Sequence, residues 1–149
     1  MTPSGKALEN AASILFITAA GGVFGKVLQQ ADAAGELGQV LTASSLGLFL
    51  PFLLAAVLKT AQGSSTVAMI TAASVLSPLM ASLGFISEWD KAMVVIAIGA
   101  GSMVISHVND SFFWVVTQFS GMNVKTGYKL ISLGTFIVGT VAMISLFIL

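Results

Sequence analysis

Two short polar clusters interrupt an otherwise apolar chain, and both carry residue types that could do chemistry. The first is Gly63-Ser64-Ser65-Thr66, lying between the apolar arms 43–58 and 67–82. Hydroxyl residues that follow a glycine and precede an apolar run are candidate helix N-caps. A helix start offers free N–H groups and the positive end of the dipole, which together attract anions. The cluster therefore reads either as a hairpin tip that grips a carboxylate or as an ordinary turn between two full membrane spans. The second cluster is Ser106-His107-Val108-Asn109-Asp110-Ser111. His107 and Asp110 are three apart, so on a helical turn they would share a face. Both side chains titrate, which makes them candidates for proton coupling. Gly99-Ala100-Gly101-Ser102 precedes this cluster and Phe112-Phe113-Trp114 follows it. That order suggests a helix broken in mid-membrane, of the kind that presents backbone and half-helix ends to a substrate and a coupling ion. A water-exposed loop between two short helices is the other reading.

The elements that must hold these clusters are set by composition. The chain has 149 residues, 56% hydrophobic and only 8% charged. A soluble domain carries about 25% charged residues. Six lysines, no arginine and six acids give zero net charge. With a mean hydropathy of +1.00, the solvent implied is a lipid bilayer. A soluble enzyme, a nucleic-acid binder and a disordered tail are excluded. With no cysteine and one histidine there is neither a disulfide framework nor a histidine-rich metal site. Neither a Walker loop nor a nucleophile elbow is present, so an enzyme is not expected, and no cofactor beyond a coupling proton.

The uncharged runs are 10–25, 37–58, 60–87, 92–109, 111–124 and 130–149. A simple span needs about 20 apolar residues. Runs 37–58, 60–87 and 130–149 reach that length, and run 10–25 nearly does. Runs 92–109 and 111–124 are too short to stand alone and meet at the second polar cluster. Thr18-Ala19-Ala20-Gly21-Gly22-Val23-Phe24-Gly25-Lys26 reads as a close-packing helix face. Gln29 to Gln39 reads as a short interfacial helix or loop, and Glu88-Trp89-Asp90-Lys91 as an aqueous turn with an interfacial tryptophan. Lys26 and Lys59 are read as interfacial lysines whose stems lie along apolar surface. Lys125 and Lys129 put the start of the last span on the cytoplasmic side.

Three stretches in this order resemble the gluconate permease (GntP) family. They are I-T-A-A-G-G-V-F-G-K-V-L-Q-Q (17–30), L-P-F-L-L-A-A-V-L-K-T-A-Q-G-S-S-T-V-A (50–68) and G-A-G-S-M-V-I-S-H-V-N-D-S-F-F-W-V-V-T-Q-F-S-G-M-N-V-K-T-G (99–127). The family contains proton symporters for gluconate and related sugar acids, and one branch carries D-serine. The resemblance implies an all-α integral membrane fold, the C-terminal part of an inverted-repeat transporter. It implies a helix over 8–30, a re-entrant hairpin over 43–82, a discontinuous helix over 91–119 and a last helix over 127–149. In such a fold the hairpin tip and the broken helix face each other at the substrate site. The family's longer chains imply that a partner repeat, N-terminal to this one, is missing here. The resemblance further implies pairing as a homodimer and a multi-pass location in the cytoplasmic membrane.

The expected activity is proton-coupled uptake of gluconate or a related sugar acid. Gly63, Ser64, Ser65 and Thr66 would receive the substrate carboxylate, and Ser102 and Asn109 its hydroxyls. Asp110 or His107 would take the coupling proton. Two alternatives stand beside it: a membrane remnant that carries nothing, and a permease for another small carboxylate such as D-serine.

Overall fold

A computed structural model of the chain describes residues 46–148, together with the isolated positions 4, 5, 8, 12, 19 and 23. The helix expected over 8–30, the interfacial segment 29–39 and the start of the hairpin 43–82 lie outside the described residues, apart from those single positions. Among the described residues every regular element is helical.

Helix α1 spans Phe49–Gln62. Pro51 stands in its first turn, where a missing N–H breaks no helical bond. The buried residues of α1 are Pro51, Ala55 and Lys59. They fall four apart, so they form one stripe along the helix. Gly63 ends the helix at φ 73°, and its N–H bonds back to the carbonyl of Lys59. This left-handed cap is one that glycine adopts without strain. Ser64 then turns to an extended conformation and its Oγ accepts the N–H of Val67, which starts α2, Ser65–Leu76. Ala68, Ala72 and Leu76 repeat the four-residue stripe on α2. A short 3-10 turn, Ser77–Leu79, follows.

Helix α3, Glu88–Met103, begins at a capping box. The Ser87 hydroxyl accepts the N–H of Asp90 at 3.0 Å, and the Asp90 carboxylate accepts the N–H of Ser87 at 2.9 Å. Glu88 to Lys91 are thus the exposed first turn of a helix rather than a free turn, with Lys91 and Glu88 paired at 2.6 Å. Helix α3 lies at the centre and packs on α1, α2 and α5. It runs straight through Gly99 and Gly101 and stops at Met103, so the interruption expected around Gly99–Asp110 falls in the later part of that range. Gly101 has a different use. A Cβ there would collide with the carbonyl oxygen of Phe52, so its absence lets α1 and α3 approach. Gly139 does the same between α5 and the carbonyl of Ala100. Small residues that bring backbones together are the usual means of helix association in lipid.

After α3 the chain is non-helical from Val104 to Asp110. Helix α4, Ser111–Phe119, follows, and then α5, Val124–Leu146, of 23 residues. At about 1.5 Å per residue α5 is about 35 Å long, enough to cross a hydrocarbon core of about 30 Å. By the same measure α1, α2, α3 and α4 each fall short. Helix α5 contains a widened π turn at Tyr128–Ser132. Its outer face exposes Leu133, Phe136, Ile137, Val141 and Ile144. An apolar face of this extent is suited to lipid. The inner core is made by Ala55, Ala72, Leu76, Val94 and Ile98, with a second cluster at Ala97, Ala100, Met143 and Leu146.

Candidate functional site

Non-helical backbone within an apolar bundle must find hydrogen-bond partners, because lipid supplies none. The break between α3 and α4 finds them on α5 and α1. The N–H of Ser106 donates to Thr135 Oγ1 at 3.0 Å, and Ser132 Oγ donates to the carbonyl of Ser106 at 2.5 Å. Ile105 sits at φ 49°. That is a strained backbone for a β-branched residue, and it persists only where surrounding bonds determine it.

The hairpin tip closes on the other side of the break. A helix leaves its last carbonyls without helical partners. The Asn109 amide donates to the carbonyls of Thr60 at 2.8 Å and Ala61 at 3.4 Å. His107 Nε2 lies 3.0 Å from the same Thr60 carbonyl. A carbonyl can only accept, so Nε2 must carry a hydrogen. With Gly63 N–H on the Lys59 carbonyl, three of the last carbonyls of α1 are satisfied. Gly63 is itself buried against Asn109, whose carbonyl would collide with any Cβ at that position.

Beneath this contact lies a buried ion pair. Lys59 Nζ is 2.5 Å from Asp110 Oδ2, and the two side chains are 2% and 5% exposed. Ser106 Oγ donates to the same oxygen at 2.5 Å. The other carboxylate oxygen accepts the N–H of Phe112 at 3.0 Å, so Asp110 is also the N-cap of α4. No buried side-chain nitrogen or oxygen among the described residues lacks a partner. Lys59 is therefore not an interfacial lysine, as its sequence context suggested. It belongs to the buried stripe of α1, and its position four residues after Ala55 and eight after Pro51 was the available signal.

A cavity of ≈ 200 Å³ adjoins the pair, lined by Lys59, Asp110, Ser65, Ser106 and Thr135, with Met103 and Phe112 as its apolar walls. Ser65 is the first residue of α2 and Phe112 the second of α4. Two helix N-termini thus border one cavity, and both dipoles favour negative charge there.

The residues singled out in the sequence are distributed as follows. Ser65 and Asp110 line the cavity. Ser64 is committed to capping α2, and Thr66 is exposed. Gly63, His107 and Asn109 form the contact between tip and break. Ser102 is 1% exposed and donates to the Gly99 carbonyl at 2.7 Å, away from the cavity lining. Sequence reasoning sets Lys59 aside as interfacial and does not single out Ser132 or Thr135. The last two are three apart on one face of an apolar span, a spacing that could have flagged them. Among the described residues there is no cluster of His, Cys, Asp and Glu able to hold a metal ion.

Described residues that are helical in every regular element, with one helix long and apolar enough to cross a membrane and buried charge between α3 and α4, are consistent with a membrane permease. The chain matches the GntP family permease description over residues 1–149, and it belongs to that family of transporters. It is 38% identical over 141 residues to the low-affinity gluconate transporter of Escherichia coli K12, covering 94% of this chain and 31% of the relative. It is 35% identical over 125 residues to the gluconate permease of Pseudomonas aeruginosa, covering 83% of this chain and 27% of the relative. It is 34% identical over 139 residues to the D-serine transporter DsdX of E. coli K12, covering 93% and 31% respectively. The chain thus spans about a third of the length of these curated relatives. No solved structure matches it.

Proposed function

We propose that this segment forms part of a multi-pass permease of the cytoplasmic membrane that takes up gluconate or a related sugar acid together with protons. The observation that carries this reading is the cavity over the Lys59–Asp110 pair, bordered by the N-termini of α2 and α4. In the proposed mechanism the site alternates between the two sides of the membrane. The substrate carboxylate sits at the start of α2, beside Ser65, with the tip residues Gly63, Ser64 and Thr66 shaping the approach. Asp110 is the group that takes the coupling proton. His107 and Asn109, bound to the carbonyls of Thr60 and Ala61, tie the tip to the break and would part when the site opens. The similarity to gluconate permeases of two bacteria supports a sugar acid as substrate, while the similarity to DsdX keeps D-serine as the second reading.

The test is uptake by a full-length relative that carries this segment. Proton-driven accumulation of radiolabelled gluconate is expected, and Asp110→Asn is expected to uncouple or abolish it. Undiminished accumulation by the Asp110→Asn protein overturns the assignment of the proton. Displacement of the label by D-serine but not by other sugar acids would favour the second reading.

A further inference from the structure

We propose that Lys59 is the counter-ion of the transported carboxylate, and that Asp110 and the substrate exchange places on it as one proton enters. The proposal rests on the transport reading above and deepens it.

A buried ammonium is stable only with a close partner. Here the partner is Asp110 Oδ2, and the pair is neutral as a whole. Both ions face a cavity whose other polar side chains, among the described residues, are Ser65, Ser106 and Thr135. A carboxylate entering a neutral, desolvated site would bring an uncompensated negative charge, which is costly in that setting. Protonation of Asp110 removes the difficulty. A proton from water bonds to the Asp110 carboxylate, the ion pair is lost, and Lys59 is left without its counter-charge. The incoming carboxylate takes that position. The loaded site holds Lys59 as a cation, Asp110 neutral and the substrate as an anion, so it is neutral again. No covalent bond changes except the O–H formed on Asp110. On release the proton leaves and Asp110 returns to Lys59. Each monovalent anion therefore travels with one proton and no net charge.

Among the described residues, few groups can share this balance. Helices α2 and α4 contain no titratable side chain, and α1 contains only Lys59. The charged residues of α3, Glu88, Asp90 and Lys91, stand in its first turn, at the end remote from the break. On α5, Lys125, Tyr128 and Lys129 are exposed and precede Ser132 and Thr135, the residues that meet the break. Within the break, His107 is engaged with the carbonyl of Thr60.

The experiment carries the full chain in place of the aligned segment of the E. coli low-affinity gluconate transporter, reconstituted in lipid vesicles, with gluconate as the probe. Saturable uptake is expected to move one proton per gluconate and to ignore an imposed membrane potential. Lys59→Gln should raise KM by more than about tenfold, judged only on protein that elutes as a folded species. Asp110→Asn should still exchange gluconate across the membrane, with a KM that no longer depends on pH. The double variant Lys59→Met/Asp110→Leu, which removes both charges, should fold and take up nothing. Uptake that carries current, or an unchanged KM in Lys59→Gln or in the double variant, overturns the proposal while leaving the transport reading intact. Absence of uptake by the unsubstituted protein overturns the transport reading and this proposal with it.

Discussion

Gly63 lies so close to Asn109 that a Cβ on the glycine would overlap the asparagine's carbonyl group. This one approach joins the hairpin tip to the break in the α3–α4 helix, and it requires glycine twice over. The residue also sits at φ 73°, where a Cβ is strained whatever the space around it. Gly63→Ala is therefore expected to push the tip away from the break and weaken the bonds from Asn109 and His107 to the Thr60 carbonyl. A loss of more than about 1 kcal/mol in stability is expected. Thermal unfolding in detergent micelles measures it. Gly134→Ala, at a position with open space around it, provides the control that should leave the midpoint nearly unchanged. Equal midpoints for the two variants would remove the close approach as a structural determinant.

The break depends on hydroxyls from a different helix. Ser132 and Thr135 supply one donor and one acceptor to Ser106, deep in the bundle. Replacing either leaves a backbone group of Ser106 without its partner, at a cost of about 1–3 kcal/mol each. Thr135→Val keeps the shape of the side chain and removes only the acceptor. It is expected to lower the unfolding midpoint and to speed amide exchange at Ser106, read by hydrogen–deuterium exchange. Unchanged exchange at Ser106 would mean that the Thr135 bond contributes nothing to holding the break.

The start of α3 provides a pH-dependent prediction outside the apolar part of the chain. The Ser87 hydroxyl, then the Ser87 backbone N–H, with a smaller contribution from Ile86 N–H, hold the Asp90 carboxyl below its ordinary value of 3.8. A carboxyl lowered in the folded state stabilises that state above its unfolded value. The contribution is lost as pH falls through the lowered folded value. Stability should thus fall on acidification from about pH 4 downwards, and Asp90→Asn should flatten that part of the profile. Ser87→Ala removes the cap itself and is expected to cost about 0.5–2 kcal/mol near neutral pH. Circular dichroism melts across the acid range test both, and a profile identical in Asp90→Asn would show that another carboxyl governs the slope.

Much of this arrangement could be read from residue order, because charge and hydropathy act locally. The segment 60–66 announced a glycine turn followed by hydroxyl caps, and Ser64 caps α2 as that pattern suggests. The polar run 106–111 stood out because such residues are costly in hydrocarbon. What residue order concealed were relationships across the bundle. Lys59 looked interfacial because its partner, Asp110, is 51 residues away. Gly99 and Gly101, read together with the polar cluster after them, widen the expected interruption to Gly99–Asp110, although the helix continues to Met103. Gly101 instead lets the Phe52 carbonyl approach, and packing holds the helix through both. Ser102 looked available for a ligand, yet its hydroxyl turns back onto its own helix.

The Lys59–Asp110 pair makes a last prediction about folding, separate from any transport. A pair with both side chains almost fully enclosed gains strong attraction but has lost its hydration. Removing one partner leaves the other buried without compensation, which typically costs about 3–5 kcal/mol. Removing both and filling the space with apolar groups is often neutral or stabilising. Lys59→Met alone should therefore lower the unfolding midpoint strongly. Lys59→Met with Asp110→Leu should recover most of the loss. The recovery should be incomplete, because Asp110 also caps α4 through the N–H of Phe112, and Leu cannot accept that bond. Asp110→Asn retains a side-chain oxygen for the cap, so Lys59→Met with Asp110→Asn should recover more than the leucine combination if the cap matters. Additive losses across the cycle, measured as unfolding midpoints in the same detergent, would mean that the two charges are not coupled.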